Sequence, residues 1–331
     1  AERSTANSAG SAARGGSADP AGERAEQPAP TRPAPATPAD IVAAPATVIC
    51  ALPSMRVVAV LLTVEIATAA SAETLRWGAN RDVISLDPYS YGDSFTINVL
   101  NHVYEGLVRY NRDLQIEPAL ATSWETISDT VWRFRLREGV TFHNGNPFTA
   151  DDVLASLARV SDEASPLKGN LPAYKGATKV DDHTIDIEVN GTYPLLLNDL
   201  TNIHIFDQEW LVENNAEKPT DAGANVEGYA THNTNGTGPF KVESRQPDAR
   251  TVFVRNESWW DEPEHNLSRI EFMPITSAAT RVAALLSGEV DFVDDTPVQD
   301  LPRLAAASHV KLLERTDIRT IMLGMNRQPE L

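Results

Sequence analysis

The sequence predicts an α/β fold, and three observations carry that prediction. The stretch from Trp132 to Leu157, WRFRLREGVTFHNGNPFTADDVLASL, passes from strand through turns to helix within 26 residues. Further on, a strand at 269–273, a helix at 279–286 and a strand pattern at 288–293 follow one another directly. The 331 residues are also 42% apolar, enough to bury cores in two or more domains.

In the first stretch, Trp132, Phe134 and Leu136 alternate with Arg133, Arg135 and Arg137, the period-2 pattern of a sheet wet on one face. Glu138-Gly139 reads as a turn and Val140–Phe142 as a short return strand. Asn144-Gly145-Asn146-Pro147 forces a second turn, because Asn-Gly tolerates positive φ and Pro147 ends a strand. Thr149 is placed to cap a helix with Asp152 three residues on, and Val153, Leu154, Leu157 and Val160 follow at helical spacing.

Elsewhere, Thr74–Gly78 is a strand, Leu86-Asp87-Pro88 a turn, and Asn98–Leu107 has helical spacing. Glu117–Trp124 reads as a loop and a turn of helix with Trp124 buried. Asp181-Asp182 is a hairpin turn before a strand in which Ile185, Ile187 and Val189 alternate with acidic residues. Pro194–Leu200 starts a helix, and 213–227 is a polar surface loop around a short helix. Thr251–Arg255 is a strand, and the helix at 279–286 is capped by Ser277 and stopped by Gly288. A last strand is expected at 318–326.

The formal net charge of −18 argues against a nucleic-acid partner, since phosphate binding needs a basic face. Cys50 is the single cysteine, so no disulfide framework or Cys-rich zinc site is expected. Ala and Pro fill 24 of the first 54 positions without sustained periodicity, a composition that predicts disorder. Met55 then opens a segment with Arg56, an apolar run at 57–64 and Ala70-Ser71-Ala72. This pattern of a secretory signal peptide at 55–72 makes Met55 the expected start.

No G-x-S-x-G, H-E-x-x-H, Cys-x-x-Cys or P-loop pattern occurs, and the histidines form no i,i+4 pair. The Gly236-Thr237-Gly238 triplet is followed by Pro239 and a strand, not the helix a phosphate loop requires. Catalytic residues, metal ligands and cofactors are therefore not expected, and His143 reads as a packing residue in its turn.

The wording of the first stretch is more specific than its pattern. Trp132-Arg133-Phe134-x-Leu136-Arg137-x-Gly139-Val140-x-Phe142-His143-x-Gly145-x-Pro147-Phe148-Thr149-Ala150-x-Asp152-Val153 resembles the signature of the family 5 extracellular solute-binding proteins. Leu86-Asp87-Pro88, Tyr104–Val108, Glu117–Trp124, Gly236–Phe240, Asn256–Trp260 and Gly288–Asp291 resemble further family words, in family order across about 74–331. The resemblance implies a periplasmic binding protein-like fold of class II, cluster C type: a first lobe with a small extra domain. Residues 73–108 would begin that lobe, 109–200 form the extra domain and 201–331 continue the lobe. A second lobe would lie beyond this sequence.

It also implies a receptor in a Gram-negative periplasm, expected as a monomer. Such a receptor captures a small solute, a peptide first and otherwise glutathione, an opine, a sugar or a nickel complex, and delivers it to an ABC permease. Ligand contacts are expected at the first turn, from Tyr91, Asp93 and Ser94, and at the re-entry turn, from Asn235 and Thr237. Two other classes stay open: a secreted hydrolase completed by the absent half, and a non-transporting sensor or chaperone on the same scaffold.

Overall fold

A computed structural model describes residues 72–220 and 227–314. The expected disordered segment, the signal peptide up to residue 71, Cys50 and the strand at 318–326 lie outside the described residues. The first of two main sheets has the order β11-β1-β10-β9-β8. Its strands are β1 (Glu73–Ala79), β8 (Phe240–Gln246), β9 (Arg250–Arg255), β10 (Leu267–Pro274) and β11 (Phe292–Val293). β1 runs parallel to both of its neighbours, β10 and β11. Helix α5 (Ala278–Ser287) joins β10 to β11 across β1, as a parallel pair requires. Ser277 accepts a hydrogen bond at its N-terminus, and Gly288 ends it in the left-handed conformation, φ +76°.

The second sheet, β4-β5-β7-β6, consists of β4 (Ala121–Ser128), β5 (Val131–Leu136), β6 (Tyr174–Asp181) and β7 (Thr184–Val189). A two-stranded ladder, β2 (Val108–Tyr110) with β3 (Ile116–Pro118), precedes it. Helix α2 (Ala150–Val160) buries Val153, Leu157 and Val160 with Phe134, Ile185 and Ile187. Its start is the expected capping box: the Asp152 carboxylate accepts from the Thr149 backbone N–H at 2.7 Å and from its hydroxyl at 3.2 Å. The shorter helices are α1 (Ser94–Leu100), α3 (Leu196–Leu200), α4 (Gln208–Glu213) and α6 (Leu301–Ala305).

Four expectations are corrected. Helical spacing at 98–107 gives way to a helix at 94–100, because the following backbone groups are taken by other segments. His102 O accepts from Phe240 N at 2.9 Å, Val103 O from Gly238 N at 2.9 Å and Glu105 O from Ile205 N at 2.8 Å. Residues 117–124 form no helix but enter β3 and β4, where Trp124 pairs with Phe134 and Glu125 with Arg133. Trp124 is accordingly half-buried, as cross-strand pairing outweighs local preference. Val140–Phe142 is not a return strand, since β4 and β7 already flank β5. The segment closes on itself instead: Phe142 N bonds Asn146 O at 2.8 Å, and Phe148 N bonds Val140 O at 3.0 Å. The strand pattern at 288–293 shortens to the two residues of β11.

Candidate ligand-binding edge

In open α/β sheets, ligands sit beyond the carboxyl ends of parallel strands. Here that edge is formed by the residues after β1, β10 and β11, and it is cross-tied. Ile275 N–H donates to Ala79 O at 2.7 Å. The Arg281 guanidinium, buried in α5, donates to Ile275 O at 2.6 Å and to Asp295 O at 2.9 Å. Asn80 Nδ2 donates to Asp295 Oδ2 at 2.6 Å, while Asp295 holds a left-handed φ of +49°. Burial raises the Asp294 carboxyl above its ordinary range.

The loop from β1 to α1 reaches this edge from a buried anchor. Arg159, on the core face of α2, donates from Nη1 and Nη2 to the two Asp87 oxygens at 2.7 and 2.6 Å. The side chains are 1% and 0% exposed, respectively. The same guanidinium donates from Nε to Ala216 O at 3.0 Å and lies 4.8 Å from the centre of the Phe206 ring. Asp87 also accepts from Tyr89 N at 3.0 Å and from the Ser90 hydroxyl. Beyond that anchor the chain surfaces: Tyr91 and Asp93 are half-buried and Ser94 is exposed.

Asp93 has a structural task of its own. Its Oδ2 accepts from Thr96 N at 2.9 Å and from Thr96 Oγ1 at 2.8 Å, capping α1, and its Oδ1 accepts from Arg81 Nη2 at 2.8 Å. Burial alone would raise this carboxyl; the Thr96 hydrogen bonds and Arg81 outweigh it and hold the group below the usual range.

Asn235 and Thr237 are placed differently, inside the fold. Both side chains are buried. Asn235 Nδ2 donates to Asp207 Oδ2 at 2.8 Å, and its Oδ1 accepts from Asn144 N at 3.1 Å. Thr237 Oγ1 donates to Glu105 Oε2 at 2.9 Å. Burial raises the Glu105 carboxyl even though Trp260 Nε1 at 2.8 Å and Trp259 Nε1 at 3.2 Å also donate to it. The turn lies so close to Val103 that a Cβ on Gly236 would stand 2.0 Å from its carbonyl oxygen. His143 joins the same turn, its Nε2 lying 3.0 Å from Gly238 O. The re-entry turn thus fastens the signature loop to the lobe, and its two candidate side chains face the interior.

Sequence reasoning overlooked Arg81 and Arg159. Arg159 carries one readable signal, since it shares the buried helical face with Asp152 and Ser156. Arg81 carries none, because its partners Asp93 and Phe95 lie beyond a turn. Among the described residues, no group of three or more His, Cys, Asp or Glu side chains is placed to hold a metal ion. No described helix is long and apolar enough to cross a membrane.

Comparison with known proteins places the chain in a family. The chain is 31% identical to heme-binding protein A of Haemophilus influenzae over 68% of its own length and 44% of that protein's. It is 26% identical to the periplasmic murein peptide-binding protein MppA of Escherichia coli, over 64% of this chain and 42% of that one. The solved structure of the periplasmic binding protein DppA from Helicobacter pylori, in complex with the peptide STSA, superposes with a TM-score of 0.63. Its identity is 26%, covering 71% of this chain and 49% of the other. The chain thus spans under half the length of these relatives. A family model, bacterial extracellular solute-binding proteins, family 5 Middle, matches residues 115–331. With two thirds of the chain inside that match, the protein belongs to the family 5 bacterial extracellular solute-binding proteins.

Proposed function

We propose that this chain forms the first lobe of an exported, periplasmic receptor that captures a small solute, most simply a peptide, and delivers it to an ABC permease. Family membership supports the reading, and the observation that carries it is the cross-tied strand edge with Tyr91, Asp93 and Ser94 beside it. A rigid edge is what hinge closure needs: the solute shifts an open–closed equilibrium by contacting the closed form better. Tyr91, Asp93 and Ser94 are the contacting residues in this proposal, and Asn235 and Thr237 brace the lobe behind them. The sheet of β4 to β7 belongs to the small extra domain, and a second lobe completes the cleft. The receptor works as a monomer and leaves the solute chemically unchanged.

The test is calorimetric titration of the complete gene product with di- to pentapeptides, glutathione, opines and nickel–histidine, with mass spectrometry of the recovered solute. Saturable binding of one class, unaltered solute and loss of its uptake on gene deletion are expected. Turnover of the solute, or no binding across the panel, refutes the proposal.

A further inference from the structure

The candidate edge contains one cation placed to meet a solute. Among residues 80–82, 91–94, 275–277 and 294–296, Arg81 is the sole Lys or Arg. Its side chain is 48% exposed, yet it is fixed on two sides. Nη2 donates to Asp93 Oδ1 at 2.8 Å, and the guanidinium carbon lies 4.8 Å from the centre of the Phe95 ring. Neither support is loose: Asp93 is held by the Thr96 backbone and hydroxyl, and Phe95 packs on Phe272 with ring centres 6.2 Å apart.

A guanidinium has five N–H donors in a planar fork, and stacking on an aromatic face holds that plane without consuming them. Asp93 takes one donor, and no other protein hydrogen bond to Arg81 occurs among the described residues. The remaining donors are pre-oriented at the mouth of the edge, next to the exposed Ser94 and half-buried Tyr91. A carboxylate matches such a fork with two parallel N–H···O bonds. Among the described residues Arg81 makes no ion pair other than that with Asp93: Asp82 pairs with Arg245 at 3.2 Å, Asp295 accepts from Asn80, and burial raises the Asp294 carboxyl.

From this geometry we infer that Arg81 anchors a carboxylate of the captured solute, so that the receptor selects solutes bearing a free acid group. The inference rests on the receptor reading above and names the class of solute for that site. The carboxylate is either the C-terminus of a peptide or that of a small organic acid.

The experiment is calorimetric titration of the complete protein with Ser-Thr-Ser-Ala and Met-Leu as free acids and as C-terminal amides, and with succinate. Hydrogen bonds to a charged group imply that amidation weakens peptide binding about tenfold or more. Arg81→Ala should weaken acid binding by the same factor and leave amide binding unchanged, with Arg81→Lys recovering part of the loss. Arg81-dependent succinate binding without peptide binding would support the anchor and identify its ligand as an organic acid. Equal affinity for acid and amide in the wild type overturns the inference, as does an Arg81→Ala variant that weakens both alike, which is the mark of a structural role. A wild type silent toward these probes and every solute of the wider panel overturns the receptor reading and this inference together. That result is distinct, because in the other failures the wild type still binds.

Discussion

Arg159→Met is the most informative single substitution. Methionine keeps much of the volume of the side chain and its packing against Phe206, so the change removes charge and hydrogen bonds more than shape. Asp87, fully buried, would lose the two short bonds that neutralise it, and Ala216 O would lose its donor. Removing one partner of a buried ion pair costs about 3–5 kcal/mol because the remaining charge is stranded. Set against a total stability of roughly 5–15 kcal/mol, that is a large fraction.

Urea denaturation of the purified protein measures the loss, and Asp87→Asn with the double variant completes a thermodynamic cycle. The double variant should be more stable than the sum of the two single losses predicts, by about 2 kcal/mol or more, because neither charge is then left alone. Solute affinity should fall along with stability in Arg159→Met, since Asp87 anchors the loop that carries Tyr91 and Asp93. A loss below about 1 kcal/mol, the scale of an exposed pair, would refute the argument that burial makes this interaction decisive.

Further predictions concern the supports around the edge. Burial pushes the Asp152 carboxyl up to about 6, so the folded protein binds more protons than the unfolded chain between about pH 4 and 6. This site's contribution is therefore full at acid pH and lost as pH rises through 6. His143 and His204, pushed down to about 4 by burial, act in the opposite sense over an overlapping window. The readout is thus the difference between wild type and Asp152→Asn in urea titrations at pH 4.5 and 7, and an equal difference at both rejects the assignment. Gly236→Ala should cost at least about 1–3 kcal/mol, because its Cβ meets the Val103 carbonyl, whereas Gly169→Ala, which meets nothing within 4 Å, should stay within about 0.5 kcal/mol. Trp260→Phe removes a donor from buried Glu105 and should cost about 1–3 kcal/mol, with a neutral result arguing that the bond carries no weight.

What could be read from the chain divides by the distance over which the cause acts. Local causes were visible: the Thr149–Asp152 capping box, Ser277 and Gly288 bracketing α5, and the alternation of Ile185, Ile187 and Val189 in β7. Misreadings arose where a remote partner decided the outcome. Nothing within 98–107 announces that Gly238 and Phe240 will claim its carbonyl groups, and nothing within 117–124 announces that β5 will pair with it. The same division holds at the edge. Tyr91, Asp93 and Ser94, the proposed contacts, form one run that is legible as a unit, whereas Arg81 gains its two partners only once the turn returns Asp93 and Phe95 to it.

The best-marked stretch of the sequence turns out to act at a distance from the edge. The loop of the signature is fastened to Asn235 and Asp207, and its helix delivers Arg159 to Asp87. The side-chain bonds that fasten loop and helix are made to the body of the fold and not to the edge. A scaffold can therefore keep that stretch nearly verbatim while the exposed residues after β1 vary freely, because altering Arg81 or Ser94 breaks no buried hydrogen bond. On that separation, exchanging the exposed residues 81 and 94 and the half-buried Tyr91 should change which solute binds and leave unfolding by urea nearly unchanged, within about 0.5–1 kcal/mol. Exchanges at 87 or 159 should do the reverse, lowering stability for every solute alike. A variant at 81 that unfolds as readily as Arg159→Met would show that the edge and its support are one structure.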